Sequence, residues 1–558
     1  MKKIIAFAIL LCMTLSFVSC GGGDNKPTKP SNIKAWAFHG FVKTAVNVRP
    51  KGSLKTDYTV YLAKGETEGC QIAVYSDNAV DDAKLSMKSG NTENVEISIY
   101  SMKRTHKIKN YEYTDSLIPY KGEGIDLAPK TVLPFMLEFK TDENTAAGER
   151  EYVYELKNKK GDVLAEFNIT VHVWDFELPK EKTFVTAFGI GKHWISYYGA
   201  YNDDIYAAWY EMLLDHNMCA YDVPYDILDP RSDEYMSDPR VTSFRVPVPT
   251  VEAADLDGDN YYDTFVIDEE KLLQYCEKVK SDPVWLSKAY FYPFDEPNKP
   301  EHLELLKEIE RQLTKLCPEI EIMAPYYTNI QLGESRDQTE QMEEYTDLWC
   351  PKLCLWDDER SYGDFLNYTP SKSFAERMAD QVAKGDRMWA YVCNDPDNPY
   401  AQMFIDTKGE VQRLMFWQIY QRDIEGFLYW CVNYYGYEEG TAFMQNATPQ
   451  NPWETTNTKI TTAKGKTIYG CGFLFYPGKE VRAGLAVPSI RAKIVRDGVD
   501  DIEMFYLAEK YLDKNWLMEK VKKGTPTLTE YVSGDEYASL RIEIGNALEA
   551  ALNKTPRA

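Results

Sequence analysis

The sequence predicts a multidomain chain of β plus α/β class: an N-terminal β-sandwich, a (β/α)8 barrel of the TIM type, and a C-terminal helical extension. Three observations carry this. Residues 33–176 alternate or run apolar over strand lengths, with turn-rich segments between. From Thr183 onward short apolar runs alternate with amphipathic helical stretches, the pattern of a parallel α/β domain. At the end of one such run stand two adjacent acids, Asp295 and Glu296, just before a helical segment. That is where barrel folds carry their chemistry.

The chain begins with Lys2 and Lys3 and an apolar stretch over 4–18 that is short for a membrane span. It ends at Ser19-Cys20 followed by three glycines. Residues 1–19 are similar to a bacterial lipoprotein signal, with cleavage before Cys20 and lipid on its sulfur. The alternative is an ordinary secretory signal cut nearby. Either way the expectation is an exported protein, and with the lipid one anchored to the bacterial cell envelope. Residues 20–32 then form a polar, Pro-containing tether. No later segment is long and apolar enough to span a bilayer, so the membrane is expected as a partner only through the lipid.

In the sandwich, 33–176, the strand signals include Tyr58-Thr-Val-Tyr-Leu, Gln71-Ile-Ala-Val-Tyr and Phe167-Asn-Ile-Thr-Val-His-Val-Trp. Lys88-Ser-Gly-Asn and Lys157-Asn-Lys-Lys-Gly-Asp supply turns, and the stretch around Pro179 reads as the linker. Residues 183–513 hold the barrel and a following long helix. Its strands are expected at 184–189, 218–223, 290–294, 321–325, 348–356, 388–392 and 426–431, with one more in the irregular stretch between 244 and 266. Helices are expected at 203–215, 268–280, 300–316, 373–384 and 411–422. The helix within 487–513 carries Arg491, Arg496, Asp497 and Asp501, charges that could pair but more often are solvated. Residues 514–558 complete the chain as a helical segment.

The formal net charge of −24 excludes a phosphate backbone as partner, since nucleic acid binding needs basic patches. Beyond Cys12 and Cys20, nine cysteines are scattered without a framework and read as buried apolar residues, with Cys350 and Cys354 a possible local pair. Six histidines occur without metal-ligand spacing, so no cofactor is expected. Asp255, Asp257, Asp259 and Asp263 space acids as calcium loops do. The sixth position lacks Gly and the twelfth is Val266, which favours a solvated hairpin tip over a calcium site.

Aromatics gather at the expected strand ends: Tyr326 and Tyr327, Trp356, Tyr391 with Asn394, and Trp430 with Asn433. Singly, each reads as core. Together they suit a sugar, whose C–H face stacks on a ring while polar tips bond its hydroxyls. Most glycosidases place two carboxyl groups across the anomeric centre, at least ~5 Å apart. Sequence neighbours such as Asp295 and Glu296 can scarcely straddle a sugar. They suit the exception, in which a 2-acetamido group on the substrate attacks its own anomeric carbon. Glu296 is then the general acid and later the base, keeping the shared proton near neutral pH, and Asp295 orients the acetamido N–H. Tyr326 or Tyr327 would bond the acetamido oxygen. The alternative is that the pair are solvated acids opening a helix.

Tyr292-Pro-Phe-Asp295-Glu296-Pro297, the segment from Trp417-Gln418 to Gly426-Phe-Leu-Tyr-Trp430, and Gly472-Phe-Leu-Phe-Tyr476-Pro477-Gly478 with Arg496-Asp497-Gly498 resemble glycoside hydrolase family 123. The resemblance implies a sandwich joined to a (β/α)8 barrel. It also implies retaining exo-β-N-acetylgalactosaminidase activity by substrate assistance, on carbohydrate bearing terminal β-linked N-acetylhexosamine. It carries over Asp295 and Glu296 alone as catalytic; the aromatic assignments rest on position. Two other readings share the anchor and the aromatics: a non-catalytic glycan-binding surface lipoprotein, and a β-hexosaminidase for another N-acetylhexosamine.

Overall fold

The computed structural model describes residues 33–554 except 257–261, 327–337, 345, 358–371, 395, 397, 438–447, 456 and 462–466. The signal, the tether and Cys20 lie outside the described residues. Among the described residues no helix is long and apolar enough to cross a membrane.

Ten strands form the N-terminal sandwich: β1 (Ile33–His39), β2 (Asp57–Lys64), β3 (Thr67–Ser76), β4 (Val80–Gly90), β5 (Val95–Ile108), β6 (Tyr111–Pro119), β7 (Ile125–Leu127), β8 (Thr131–Thr141), β9 (Gly148–Lys157) and β10 (Val163–Glu177). One sheet runs β1-β3-β8-β5-β6 and the other β2-β10-β9-β4-β7. Pairing is antiparallel except for β2 with β10. Alternate residues such as Ile72, Val74, Leu137, Phe139, Tyr152 and Phe167 meet between the sheets, as the period of two requires.

The second unit is built on a parallel sheet of β11 (Val185–Phe188), β12 (Phe244–Val246), β15 (Ala289–Phe291), β16 (Glu321–Tyr326), β17 (Leu348–Pro351), β18 (Arg387–Val392) and β19 (Gly426–Tyr429), in the order β11-β19-β18-β17-β16-β15-β12. A hairpin of β13 (Thr250–Ala254) and β14 (Thr264–Ile267) projects between β12 and the helix Glu269–Lys280. The complete eight-stranded barrel is thus a correction. The sheet has seven strands and is nearly closed. The expected strand at 218–223 is reduced to a bridge between Phe188 and Ala220, with three backbone bonds to the neighbouring strands: Phe188 N to Cys219 O (2.8 Å), Tyr221 N to Phe188 O (2.9 Å) and Arg245 N to Tyr221 O (2.7 Å). The adjacent Asp222-Val223-Pro224 explains the shortfall, since proline offers no ladder donor and holds its predecessor extended. Val185, Tyr290, Met323, Cys350, Trp389, Tyr391 and Leu428 fill the interior of the sheet. Phe188, Phe291, Trp349 and Phe427 turn outward against the helices.

The helix Ile490–Ala508 is buried on nearly every face, because it lies between the sandwich and the parallel sheet's helices. Its charges are therefore not solvated, as the sequence favours, but paired. Asp501 accepts from Arg413 (2.9 and 3.1 Å), Trp417 (2.9 Å), Tyr537 (2.7 Å) and Arg541 (2.7 Å). Burial opposes its ionisation, but Arg413 and Arg541 hold the carboxyl down at about 2. The same arginines reach the sandwich: Arg413 bonds Glu68 (2.7 Å) and Arg541 bonds Glu66. Arg491 forks onto Asp115 of β6 (2.8 and 2.9 Å), and Arg496 and Lys493 meet Glu138 of β8 (2.7 and 2.9 Å). Trp174 of β10 fills the space beside Gly545 and donates to Asn546 (2.8 Å), fastening the C-terminal helix Gly534–Leu552.

The cysteines hold one surprise. Cys276 and Cys317 form a disulfide 41 residues apart, joining the helix Glu269–Lys280 to the C-terminal cap of the helix Pro300–Leu316. Cys350 and Cys354, the sequence's local pair, are both buried and form no disulfide with each other. The hairpin tip at 255–263 holds Asp263, whose carboxylate accepts from Leu256 N (2.6 Å). Asp257 and Asp259 of the calcium-like spacing lie outside the described residues. Among the described residues no cluster of metal-ligating side chains occurs.

Asp501→Ala strands two buried guanidinium groups and should cost roughly 3–5 kcal/mol, because removing one partner of a buried pair leaves an uncompensated charge. Urea unfolding followed by tryptophan emission and by far-ultraviolet dichroism checks it. One transition common to both probes, shifted to lower urea, is the expected result. A sandwich that stays folded after the parallel sheet has melted contradicts a shared core.

Candidate active site

β15 ends at Phe291, and the chain continues through Tyr292-Pro293-Phe294 to the acidic pair. In an extended chain, consecutive side chains point to opposite sides. Two adjacent acids reach the same mouth only if the backbone turns between them. It does so at Glu296, whose φ is +42°, in the left-handed region that costs a non-glycine residue about 1 kcal/mol or more. The Glu296 amide donates to the Pro325 carbonyl at the end of β16 (3.2 Å), which pins the turn to the neighbouring strand.

Each acid has its own phenol. Tyr292 donates to Asp295 Oδ1 (2.7 Å), and Tyr391 of β18 donates to Glu296 Oε1. Burial and then the facing carboxylate push both phenols well above the ordinary tyrosine range, so both remain donors. Asp295 is open to solvent but sunk in a walled mouth. That enclosure, and then the charge of Glu296, push its carboxyl up to about 7, with the Tyr292 bond and Lys352 pulling the other way. The sequence places the shared proton on Glu296, whereas the structure lifts Asp295. The cause is enclosure by the sheet mouth, which the spacing of two acids does not show. Lys352 follows β17, is 3% exposed and stands with Nζ 5.8 Å from the Tyr391 ring centroid. Beneath it, the Cys350 thiol is pushed well up by burial and by both acids, and stays protonated.

The rim residues divide. Tyr391 meets the pair directly. Tyr326 is fully buried on the outer side of β16, its hydroxyl 3.1 Å from Thr339 and beside Met378 of the helix Phe374–Lys384. It faces the helical layer rather than the mouth, because Met323, three residues earlier and so of opposite parity, takes the inner side. Trp356 likewise packs edge-on to Phe374 at 5.1 Å. Asn433 is buried and spends both ends of its amide on the Gly191 backbone (2.7 and 3.2 Å), so it fixes a turn and is not free for a sugar. Trp430 is half-buried, with its ring 5.0 Å from that of Tyr434 and over Gly472, whose φ of +75° and absent Cβ make room. Asn394 is half-buried and accepts from the Cys393 thiol (3.2 Å). Tyr327 lies outside the described residues.

Sequence reasoning missed Tyr292, Lys352, Tyr221, Asp222 and Arg245 as site residues. Arg245 is in register with Tyr290, which fills the sheet's interior, so Arg245 also points inward. It forks onto Asp222 through Nε (2.9 Å) and Nη2 (3.0 Å) and lies against the rings of Tyr221 and Tyr292, at 5.6 and 5.9 Å from their centroids. The signal available was Tyr292 itself, three residues before Asp295 at the same strand end. A lone Arg in the irregular stretch after 240 gave none.

Residues 250–508 match the model of the glycoside hydrolase 123 catalytic domain. Among solved structures, a family 123 glycoside hydrolase from Clostridium perfringens is similar over 93% of this chain and 98% of its own, at 13% identity and a TM-score of 0.61. A β-glucuronidase from Bacteroides uniformis aligns over 73% of this chain and 48% of its own, at 12% identity and a TM-score of 0.26, too distant in shape to bear on this site. No curated protein matches the sequence.

The carboxyl carbon of Asp295, followed by NMR on the labelled protein, should titrate near pH 7. Tyr292→Phe removes a bond that favours the ionised form, so the midpoint should rise. Because the folded value lies above the ordinary 3.8, the group favours folding fully below that value and loses the contribution as pH climbs through about 7. Asp295→Asn should therefore raise the melting temperature at pH 8 and leave it nearly unchanged at pH 3.5. An ordinary midpoint near 3.8 contradicts the enclosure.

Proposed function

We propose that this glycoside hydrolase, of family 123 over residues 250–508, releases terminal β-linked N-acetylgalactosamine with net retention, by attack of the substrate's own 2-acetamido oxygen. The observation that carries this reading is that two consecutive carboxylates enter one mouth, each held by its own tyrosine. Side chains one residue apart cannot flank a pyranose as an acid and an opposed nucleophile do. They can serve one edge of it, one at the glycosidic oxygen and the other at C2.

In this reaction Glu296 protonates the leaving oxygen. Asp295, ionised, accepts the acetamido N–H, holds the carbonyl oxygen toward C1 and stabilises the positive charge of the oxazolinium as that oxygen bonds C1 and the C1–O bond breaks. Water then adds at C1 as Glu296 takes its proton back, so two inversions leave the configuration retained. Tyr391 orients Glu296, and Lys352 supplies positive potential beside the pair.

The Clostridium perfringens enzyme of the same family is described as hydrolysing glycolipid glycans, which supports a glycan or glycolipid as substrate here. Export with a lipid on Cys20 belongs to the proposal as well. The Cys276–Cys317 disulfide supports an oxidising compartment, where such bonds persist.

Wild-type protein should release nitrophenol from p-nitrophenyl β-N-acetylgalactosaminide. Glu296→Gln should cut kcat by roughly 10²–10⁴-fold, the usual worth of a general acid. An N-acetyl thiazoline mimic of the oxazoline should inhibit strongly. Trapping of a covalent ester on a carboxylate by a 2-fluoro sugar rules out substrate assistance. Binding without turnover leaves a glycan-binding module. Faster release from the β-N-acetylglucosaminide makes the enzyme a hexosaminidase of the other configuration.

A further inference from the structure

Asp222 and Arg245 are the part of the mouth that the proposed reaction does not use. They also precede residue 250, outside the span matched by the family 123 domain. Their bond is a two-pronged fork, yet it does not exhaust them. Nε and Nη2 of Arg245 go to the two oxygens of Asp222, and Nη1 makes no hydrogen bond among the described residues. Each Asp222 oxygen keeps acceptor capacity beyond the one bond it receives. The Arg245 side chain is 32% exposed and that of Asp222 28%. Arg245 is in register with Tyr290 inside the sheet and lies against Tyr292, whose hydroxyl bonds Asp295 in the mouth. A pair that served only to hold strands together would be expected to close its polar edge; this one presents spare donors and acceptors to the opening.

The pair is also rigid. Arg245 N bonds Tyr221 O (2.7 Å), the Asp222 carbonyl accepts from Tyr206 (3.2 Å), and the Tyr221 hydroxyl is spent on the Tyr429 carbonyl (3.3 Å). Tyr221 and Tyr292 meet edge to face at 5.8 Å, with Arg245 against both. Since Tyr292 also donates to Asp295, one side chain separates the Asp222–Arg245 fork from the acid assigned to C2. Proceeding around a pyranose from C1 at Glu296 and C2 at Asp295, the next positions are C3 and C4.

We infer that the Asp222–Arg245 pair binds the C3 and C4 hydroxyls of the terminal aminosugar and selects the configuration at C4. The inference rests on the proposed N-acetylhexosaminidase reading. O3 and O4 are gauche in both C4 epimers, but only the galacto configuration turns the C4 hydroxyl axial, onto one face of the ring, where a fork set against that face reaches it together with O3. One fork can then donate from Nη1 to one oxygen and accept at Asp222 from the other. A charged partner left without its hydroxyl is heavily penalised, so such a fork discriminates strongly.

The test compares kcat/KM for the p-nitrophenyl β-N-acetylgalactosaminide with its 3-deoxy and 4-deoxy analogues. Wild type should lose roughly 10- to 100-fold on each analogue. In Asp222→Asn and Arg245→Gln the parent substrate should fall by a similar factor while the deoxy penalties shrink to within about threefold. A purely structural pair gives a different result, since both variants then lose parent and analogue activity in proportion. If neither variant folds, the wild-type comparison still decides. Deoxy substrates turned over within about twofold of the parent overturn the inference while leaving the N-acetylhexosaminidase reading intact. Absence of any turnover of aryl β-N-acetylhexosaminides overturns that reading and the inference with it.

Discussion

The geometry of this mouth follows from one constraint: two side chains on consecutive residues must serve the same small space. A strand forbids it, because its period of two sends neighbours apart. The chain resolves the conflict by ending β15 early and turning through a left-handed residue at Glu296. The strain is tolerable because the turn is held from outside, by the amide bond to Pro325 and by the phenols of Tyr292 and Tyr391. Strained backbone of this sort persists only where its surroundings over-determine it. Here the surroundings also determine the proton chemistry, since the same two phenols bond the acids.

That rigidity is supported far from the mouth. The helix Ile490–Ala508 carries acids and arginines into an interior shared by the sandwich and the parallel sheet. Buried charges are a poor source of net stability, because desolvation offsets much of the attraction. Their geometry is nonetheless demanding. Asp501 receives five hydrogen bonds from four side chains on two other helices, so those helices and its own have one permitted arrangement. The sandwich therefore acts as a fixed support for the parallel sheet rather than a module swinging on a linker.

Much of the architecture was legible in the sequence. Strand alternation over 33–176 and the switch to helical periods after 183 are local signals, and the helices at 203–214, 269–280 and 300–316 begin within a residue of where their acidic or Pro-bearing starts place them. The closure of the sheet was not legible, because it depends on whether a short segment before Pro224 can pair on both sides. Nor was the state of the charges on the long helix, since pairing with partners 40 to 376 residues away has no local signature. The facing of the rim residues was not legible for a simpler reason. Tyr326, Trp356 and Asn433 sit at strand ends, but strand parity and the partners of a buried group decide which way each faces. Tyr391 and Tyr326 look alike in sequence and face opposite sides of one sheet.

The protonation of the pair raises a last question for the proposed reaction, which needs the proton on Glu296 and not on Asp295. In the open mouth, enclosure lifts Asp295 to about 7. An acetamido N–H arriving at Asp295 changes the balance, because a hydrogen bond donated to a carboxylate favours its ionised form. The glycosidic oxygen arriving at Glu296 favours a protonated acid there. In the proposed reaction both contacts favour a proton on Glu296 over one on Asp295. A substrate lacking the acetamido group supplies only one of these contacts and also lacks the attacking oxygen. In the proposed reaction, selectivity for a 2-acetamido sugar and readiness of the general acid then arise from the same bond, at the carboxyl that enclosure has lifted.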